Sequence, residues 1–171
     1  MENKFENIID NLEETENLIV SDQTFQNELV SDYNLQCSFF GTLIFYRTSF
    51  QDLDLSGMMM VNCQFHQCKF QNVTMRKCEL WNPTLKNCSI ERCDLTRMEL
   101  TKGIIQNCTI VDSNLKASHF SESTFIETKF YNNMLIAISA LSVKILASNQ
   151  FTEIERSSSF GDFLTNMNSD D

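Results

Sequence analysis

Glycine and proline are scarce in this chain, which has four glycines and one proline among 171 residues. Phosphate-binding loops need several closely spaced glycines, because only glycine lets the backbone approach a phosphate closely. The sequence therefore excludes a glycine-rich loop of that kind. It also has only two histidines, His66 and His119, which fall at outward positions of the chain on different faces, and a lone surface histidine is usually only solvated, since a catalytic base needs a nucleophile within reach. We expect a protein that is not an enzyme and that uses no cofactor.

Long hydrophobic runs are also lacking. The longest apolar stretch, Met134 to Ala147, is interrupted by serines and Lys144 and is too short to span a bilayer. No basic and apolar leader follows Met1. The seven cysteines cannot all pair, and without a secretory signal they do not indicate a disulfide framework. These features predict a cytoplasmic protein that does not bind membranes.

Negative charge is abundant, with a formal net charge of −10, but it is unevenly distributed. Residues 1–32 contain nine acidic side chains and only one base, Lys4, while residues 146–171 contain five acids and only Arg156. The middle of the chain, residues 33–145, has nine acidic and eleven basic side chains, a net charge of +2. The acidity therefore belongs to the ends and not to the body.

The most regular feature of the chain is an apolar residue at every fifth position, without a gap from Phe25 to Ile145. The residue two positions before each of these is mostly small, and six of the seven cysteines stand there. The two residues after it are mostly polar, and the second is often asparagine, as at Asn62, Asn72 and Asn107.

A period of five fits neither an α-helix, whose faces repeat every 3.6 residues, nor a continuous strand, whose faces alternate. It fits a chain that turns once every five residues, with the small and the large residue inward and the polar pair at a corner. Asparagine suits such a corner because it tolerates the left-handed backbone conformation. We therefore predict a parallel β-helix with buried large residues such as Leu55, Phe70, Leu95 and Phe120.

With this repeat the sequence resembles the pentapeptide repeat proteins, whose motif is a small residue, a polar residue, Leu or Phe, and two variable polar residues. Cys93–Arg97 (CysAspLeuThrArg) and Ser113–Ala117 (SerAsnLeuLysAla) are close matches. The resemblance implies an all-β fold, a right-handed quadrilateral β-helix with four pentapeptides in each 20-residue coil. About six coils would then fit between Phe25 and Ile145.

The ends of the chain differ from its body. Apolar residues at helical spacing in the acidic first segment predict a helix over residues 3–15, within an N-terminal cap formed by residues 1–17. Residues 18–145 form the β-helix, and residues 146–171 form a C-terminal strand and helix cap. We expect both caps to cover the open ends of the coil, because exposed strand edges invite association.

Stacking residues 20 positions apart places Cys68, Cys88 and Cys108 in one column. A metal or redox site is one interpretation of three stacked thiols. However, this inward position requires a small apolar residue, buried cysteine packs as one, and no CxxC motif or histidine accompanies the column. We therefore predict buried, reduced, structural thiols and no metal site.

Two clusters of outward residues are candidates for binding. The first, which we call the apolar patch, consists of residues that a solvated repeat would keep polar: Phe39, Ile44, Tyr46, Met59, Val61 and Trp81. A contiguous exposed apolar surface that contains the only tryptophan is typical of a contact surface. The alternative is that the N-terminal helix folds back over it. A second copy could also cover it, so a homodimer is one expected assembly.

The second cluster, which we call the basic corner, consists of Arg76, Lys77, Arg97 and Lys116. Its interpretation as a binding site competes with that of a solvated corner kept soluble by its charge. We also considered that the acidic N-terminal segment lies against it, on the ground of opposite charge alone.

These features favour a non-catalytic protein that binds another protein and shields or sequesters it, as a bacterial protection or immunity factor does. The resemblance implies an alternative, because similar family members protect bacterial type II topoisomerases such as DNA gyrase from quinolones or peptide toxins by mimicking DNA. This chain departs from them in its body charge of +2 and in its lack of their terminal dimerisation segment. A secreted effector and a purely structural scaffold are further alternatives, and we expect no direct binding of nucleic acid.

Overall fold

The computed structural model describes residues 4–9 and 17–167, and it is built almost entirely from short parallel strands. Each strand of the coil is three residues long, with its middle residue buried and its flanking residues pointing outward. Corners of two residues separate the strands. The five-residue period of the sequence is therefore one strand and one corner.

Two helices and twenty strands are described. Helix α1 (Glu6–Ile9) precedes the coil and α2 (Phe160–Met167) follows it. The strands are β1 (Ile19–Ser21), β2 (Thr24–Gln26), β3 (Leu29–Ser31), β4 (Phe39–Gly41), β5 (Ile44–Tyr46), β6 (Ser49–Gln51), β7 (Met59–Val61), β8 (Gln64–His66), β9 (Lys69–Gln71), β10 (Glu79–Trp81), β11 (Thr84–Lys86), β12 (Ser89–Glu91), β13 (Glu99–Thr101), β14 (Ile104–Gln106), β15 (Thr109–Val111), β16 (His119–Ser121), β17 (Thr124–Ile126), β18 (Lys129–Tyr131), β19 (Ser139–Ala147) and β20 (Gln150–Ser157).

Each strand of the coil except β18, the last of its sheet, pairs in parallel with the strand 20 residues further on, as in the partners Phe45↔Phe65 and Ile90↔Ile110. This register divides the coil into four sides. The first side contains β1, β4, β7, β10, β13 and β16, and the second contains β2, β5, β8, β11, β14 and β17. The third side contains β3, β6, β9, β12, β15 and β18, and single bridged residues form the fourth, from Asn34↔Asp54 to Asn114↔Met134.

The corners require a left-handed backbone, and the predicted asparagines occupy three of them: Asn62, Asn72 and Asn107 have φ values of 55°, 55° and 51°. Side chains at the corners also bond to the next coil, since the Asn82 amide donates to Asn62 Oδ1 at 2.9 Å. The corner between the fourth and first sides is a tight turn, in which the N–H of Met98 donates to the carbonyl of Leu95. Lys77 and Arg97 occupy its left-handed position.

The core is a continuous column of the inward residues, and Leu55, Phe70, Leu95 and Phe120 are all buried, as predicted. Burial of side chains of this size stabilises the fold by about 1.5–3 kcal/mol each. Phenylalanine rings stack from coil to coil, and the rings of Phe50 and Phe70 are 4.8 Å apart and nearly parallel.

The described N-terminal segment covers one end of the coil. Phe5 is fully buried and its ring contacts the rings of Phe25, Phe40 and Phe45. Helix α1 is shorter than predicted at its start, because Lys4 and Phe5 are not helical. The rest of the predicted helix, at residue 3 and residues 10–15, lies outside the described residues.

The opposite end of the coil is covered by a hairpin and a helix. β19 crosses from the first side to the second and pairs with β16 and then β17, while β20 pairs with it in the antiparallel direction. In α2, Phe160 and Leu164 are buried, and the ring of Phe160 contacts that of Phe120. Gly161 permits the close approach of α2 to the last coil, since a Cβ at this position would lie 2.0 Å from the carbonyl oxygen of Leu135.

The predicted fold class is confirmed: the chain is a parallel β-helix of about six coils with two short helices. Neither helix in the described part of the chain has the length and apolar character required to cross a membrane.

Candidate protein-binding surface

The structure brings the six predicted residues of the apolar patch together around the edge between the first and second sides. On the first side, Phe39 is the register partner of Met59, and Val61 is the partner of Trp81. Ile44 and Tyr46 are the outward residues of β5, on the second side. Since all six are at outward positions of neighbouring strands, they form one continuous surface.

Exposure varies across the patch. Trp81 is 46% exposed, and Met59 and Tyr46 are each 39% exposed. Phe39, Ile44 and Val61 are half-buried, because neighbouring side chains cover part of each. The ring of Phe39 lies close to Gly41, where a Cβ would lie 2.8 Å from Cε1 of the ring. Glycine at this position therefore lets an aromatic side chain lie along the surface of the sheet.

The described part of the N-terminal segment does not lie over the patch. Phe5 enters the end of the coil among inward rings, and its backbone N–H donates to the Glu28 carboxylate at 2.8 Å. Trp81 and Met59 remain open to solvent with this segment in place. Residues 10–16, which could also have been expected over the patch, lie outside the described residues.

Sequence reasoning missed one member of this surface. Ile19 is the register partner of Phe39 and is 75% exposed, so Ile19, Phe39 and Met59 form a stripe along three successive coils. Extending the 20-residue column back by one coil would have found it. Below Met59 the same column becomes acidic, with Glu79 and then Glu99, both exposed. The apolar stripe therefore ends sharply at the fourth coil.

Tyr46 has an aromatic neighbour on the next coil. The ring of His66 stacks on it at 4.8 Å with an interplanar angle of 15°, and His66 Nε2 lies 3.2 Å from Oε1 of Gln64. Partial burial and the nearby charge of Lys86 lower the pKa of His66 below its ordinary value. The imidazole is therefore neutral at pH 7, and it extends the patch as an uncharged ring.

The four residues of the basic corner are exposed and lie at the edge between the fourth and first sides. The backbone register stacks Lys77 beside Arg97 and brings Lys116 to the same edge, where the N–H of Arg97 donates to the carbonyl of Lys116. The only ion pair that we find for these cations among the described residues joins Arg76 Nε to Asp94 at 3.7 Å. The basic corner and the apolar patch thus border the same side of the coil, where Glu79 lies between Lys77 and Trp81 along the chain.

The stacked cysteines lie inside the coil, away from both surfaces. Cys68, Cys88 and Cys108 are buried, and the Cys88 thiol donates to the carbonyl of Phe65 at 3.3 Å. Contact with the thiols of Cys108 and Cys68, together with burial, raises the pKa of Cys88. Burial also raises the pKa of Cys78 to about 12 and that of Cys93 to about 11. The hydrogen-bonding contact with the Cys88 thiol lowers the pKa of Cys68 and that of Cys108. The thiols of Cys78, Cys88 and Cys93 are protonated at neutral pH and are poor nucleophiles and poor metal ligands.

The metal-ligating side chains of the described residues do not gather into a metal site. We find no group of three or more His, Cys, Asp or Glu side chains there that could hold a metal ion. His119 Nδ1 lies 2.8 Å from the hydroxyl of Ser139 on the next coil, far along the axis from His66. The two histidines therefore do not share a site.

The chain is similar in structure to solved pentapeptide repeat proteins. A trypsin-treated form of QnrB1, described as a plasmid-mediated fluoroquinolone resistance protein, is 16% identical, with 67% of this chain and 74% of that chain covered and a TM-score of 0.37. HetL, involved in the regulation of heterocyst differentiation in the cyanobacterium Nostoc sp. strain PCC 7120, is 8% identical, with 78% and 69% covered and a TM-score of 0.37. Rfr23 from the cyanobacterium Cyanothece 51142 is 12% identical, with 75% and 97% covered and a TM-score of 0.27.

No family model and no curated protein sequence matches the chain. At these TM-scores the likeness to these structures carries no argument about this chain. What fixes the assignment is the coil itself, in which a five-residue period, a 20-residue register and left-handed corners recur along the body. The chain is a pentapeptide-repeat β-helix.

Proposed function

We propose that this protein is a non-catalytic, cytoplasmic binding module, and that the apolar patch is its contact surface for another protein, which it shields or sequesters as a protection or immunity factor does. The observation that carries the proposal is the exposure of Trp81 and Met59 at outward positions that most other repeats fill with polar residues. Water solvates such a surface poorly, so covering it with a partner is favourable.

The geometry of the patch suits a protein partner better than a small ligand. The patch lies on the outer faces of two adjoining sides, and its residues project from strands instead of lining a cavity. A sheet surface that exposes a large aromatic residue resembles the core of a protein interface, where tryptophan often supplies much of the binding energy. The charged residues beside it, Glu79 and the basic corner, would form the polar rim.

Trp81→Ala tests the proposal, with Tyr131→Ala as the matched control. Tyr131 is an outward aromatic residue of comparable exposure, 36%, but it lies on the third side, two coils beyond the coil of Trp81. The partner would be isolated from the source cells with the wild-type chain, purified, and titrated with both variants. We expect Trp81→Ala to weaken binding at least 30-fold, about 2 kcal/mol, and Tyr131→Ala to change it less than threefold.

Equal losses for the two variants, or no loss for Trp81→Ala, would contradict the proposal. A complex of two copies of this chain that Trp81→Ala dissociates would instead identify the partner as a second copy. Sedimentation of the purified chain over a range of concentrations separates this outcome from binding to a different protein.

Topoisomerase protection by DNA mimicry, the alternative that the resemblance to pentapeptide repeat proteins implies, makes a different prediction. Mimicry of DNA requires acidic residues along the whole rod, whereas residues 33–145 carry a net charge of +2. We therefore expect that adding the purified chain to a DNA gyrase supercoiling reaction does not relieve inhibition by a quinolone. Relief at stoichiometric protein would favour the alternative.

A further inference from the structure

The last strand of the structure leaves one edge of a sheet open. In the described part of the chain, β20 pairs with β19 on one side and with no strand on the other. Its residues are exposed except for Ile154 and Ser157, which are half-buried. An open edge of eight residues presents unpaired N–H and C=O groups that another extended chain can pair with.

The surface around this edge is unusually apolar. The last coil and β20 carry a ring of exposed large hydrophobic residues, which we call the C-terminal rim: Tyr131, Met134, Ile136, Leu141, Leu146 and Phe151, each at least 36% exposed. Two coils earlier, the outward positions equivalent to Tyr131, Ile136, Leu141 and Leu146 hold Glu91, Thr96, Thr101 and Gln106. Phe151, which is on the edge strand β20, is 62% exposed and lies beside its register partner Leu146 on β19.

The charges on β20 decide what can pair with it. Ile154 packs towards the core, so the alternating residues Phe151, Glu153 and Glu155 face outward. We find no ion pair for Glu153 or Glu155 among the described residues, although Lys144 is the register partner of Glu153. The outer face of the edge therefore combines one large aromatic side chain with two carboxylates.

A second copy of the chain is a poor occupant. In an antiparallel pair, two residues that face each other either both hydrogen-bond to the opposite strand or both direct their N–H and C=O groups away from it. Two copies of one strand can therefore pair only in a register that sets one residue against the same residue of the other copy. The two longest registers are centred on Glu153 and Ile154. The first sets Glu153 against its own copy and the second sets Glu153 against Glu155, and like charges directly opposite each other are destabilising.

We propose that the open edge of β20 is a second binding site, which accepts an extended segment of another protein in which basic residues alternate with apolar ones. The segment adds as a further strand, so its backbone pairs with β20. Its basic side chains lie on the face of Phe151, Glu153 and Glu155, and its apolar side chains lie on the opposite face, beside Ile154. This site lies at the C-terminal end of the coil and is independent of the apolar patch.

A peptide can serve as the probe. A seven-residue peptide of alternating lysine and valine, blocked at both ends, would be titrated against the full chain at about 0.15 M salt, where exposed charges are screened beyond roughly 8 Å. We expect saturable binding and slower hydrogen exchange at alternate amides of residues 150–157. Trp81→Ala should bind the peptide as the wild type does, which separates this site from the proposed function.

Two controls distinguish strand addition from simple attraction of charge. The variant Glu153→Lys/Glu155→Lys should weaken binding at least tenfold, whereas Glu79→Lys/Glu99→Lys, which changes net charge equally on strands paired along both edges, should change it less than threefold. The same peptide with its backbone nitrogens methylated along one edge should not bind.

Several results would overturn the inference. They are the absence of binding, equal losses for the two charge variants, and undiminished binding of the methylated peptide. Protection of the β20 amides in the free chain that rises with protein concentration would also overturn it, because it would show that a second copy occupies the edge.

Discussion

The first and third sides of the coil have the same backbone and different surfaces. Both are stacks of three-residue parallel strands in the same 20-residue register, and both bury the middle residue of every strand. Outward residues of the first side include Phe39, Met59 and Trp81. The third side, apart from Leu29 and Tyr131 at its two ends, is largely polar and charged, as in Lys69 and Gln71 on β9.

The comparison shows that inward and outward residues of the coil have different roles. Inward residues are alike on all sides and hold the coil together, so they contribute chiefly to stability. Outward residues are free to differ between sides, because the backbone hydrogen bonds of each strand do not depend on them. Neighbouring residues of one strand should therefore differ sharply when they are substituted.

The largest expected effect is on the third side. Phe70→Ala removes a buried ring that stacks on Phe50 at 4.8 Å, and we expect the free energy of unfolding to fall by about 3–5 kcal/mol. Gln71→Ala, one residue further on and outward, should change it by less than about 0.5 kcal/mol. Denaturant unfolding of both variants measures this difference. Similar losses for the two would break the comparison.

A smaller effect is expected from the stacked thiols. Cys88→Ala leaves a small cavity between two coils, which should cost about 1–2 kcal/mol, while Cys37→Ala, at an exposed position, should cost almost nothing. A thiol reagent should modify Cys37 in the native protein and the six buried cysteines only after unfolding. Stoichiometric zinc that is lost on Cys88→Ser would contradict the structural role.

The smallest expected effect concerns pH. The pKa of His66 in the folded chain lies below its ordinary value of 6.5. As the pH falls, the imidazole of the unfolded chain is therefore protonated before that of the folded chain. Folding stability from this group is therefore fully present above pH 6.5 and is lost as the pH falls through the folded pKa. Melting temperatures measured just below pH 6.5 should fall less steeply for His66→Gln than for the wild type. Identical slopes would show that the ring next to Tyr46 is fully solvated.

Much of this fold could be predicted from the sequence, because its signal is repeated in every coil. The five-residue period alone places Phe70 inward and Asn72 at a corner, and both predictions are confirmed. Counting in steps of 20 residues also places Phe39 beside Met59 and Val61 beside Trp81, as the structure has them.

The structures at the two ends of the coil were harder to predict, because each occurs only once in the chain and leaves no repeated pattern in the sequence. Nothing periodic indicates that β20 folds back on β19, since antiparallel pairing there depends on one turn. The path of Phe5 into the end of the coil also depends on a single tertiary contact with Phe25. Ile19 was missed for a simpler reason, which is that it lies one coil before the residues that define the patch.

The central claim is that Trp81 lies outside the folded core while Leu80, its neighbour on β10, lies inside it. Leu80 is 4% exposed and Trp81 is 46% exposed. Thermal unfolding of Leu80→Ala and Trp81→Ala, measured side by side, tests this claim most directly. We expect Leu80→Ala to destabilise the chain by about 2–5 kcal/mol and Trp81→Ala to move the melting temperature by only a few degrees. If Trp81→Ala instead destabilises the fold as much as Leu80→Ala, then the patch is part of the core and the binding surface lies elsewhere.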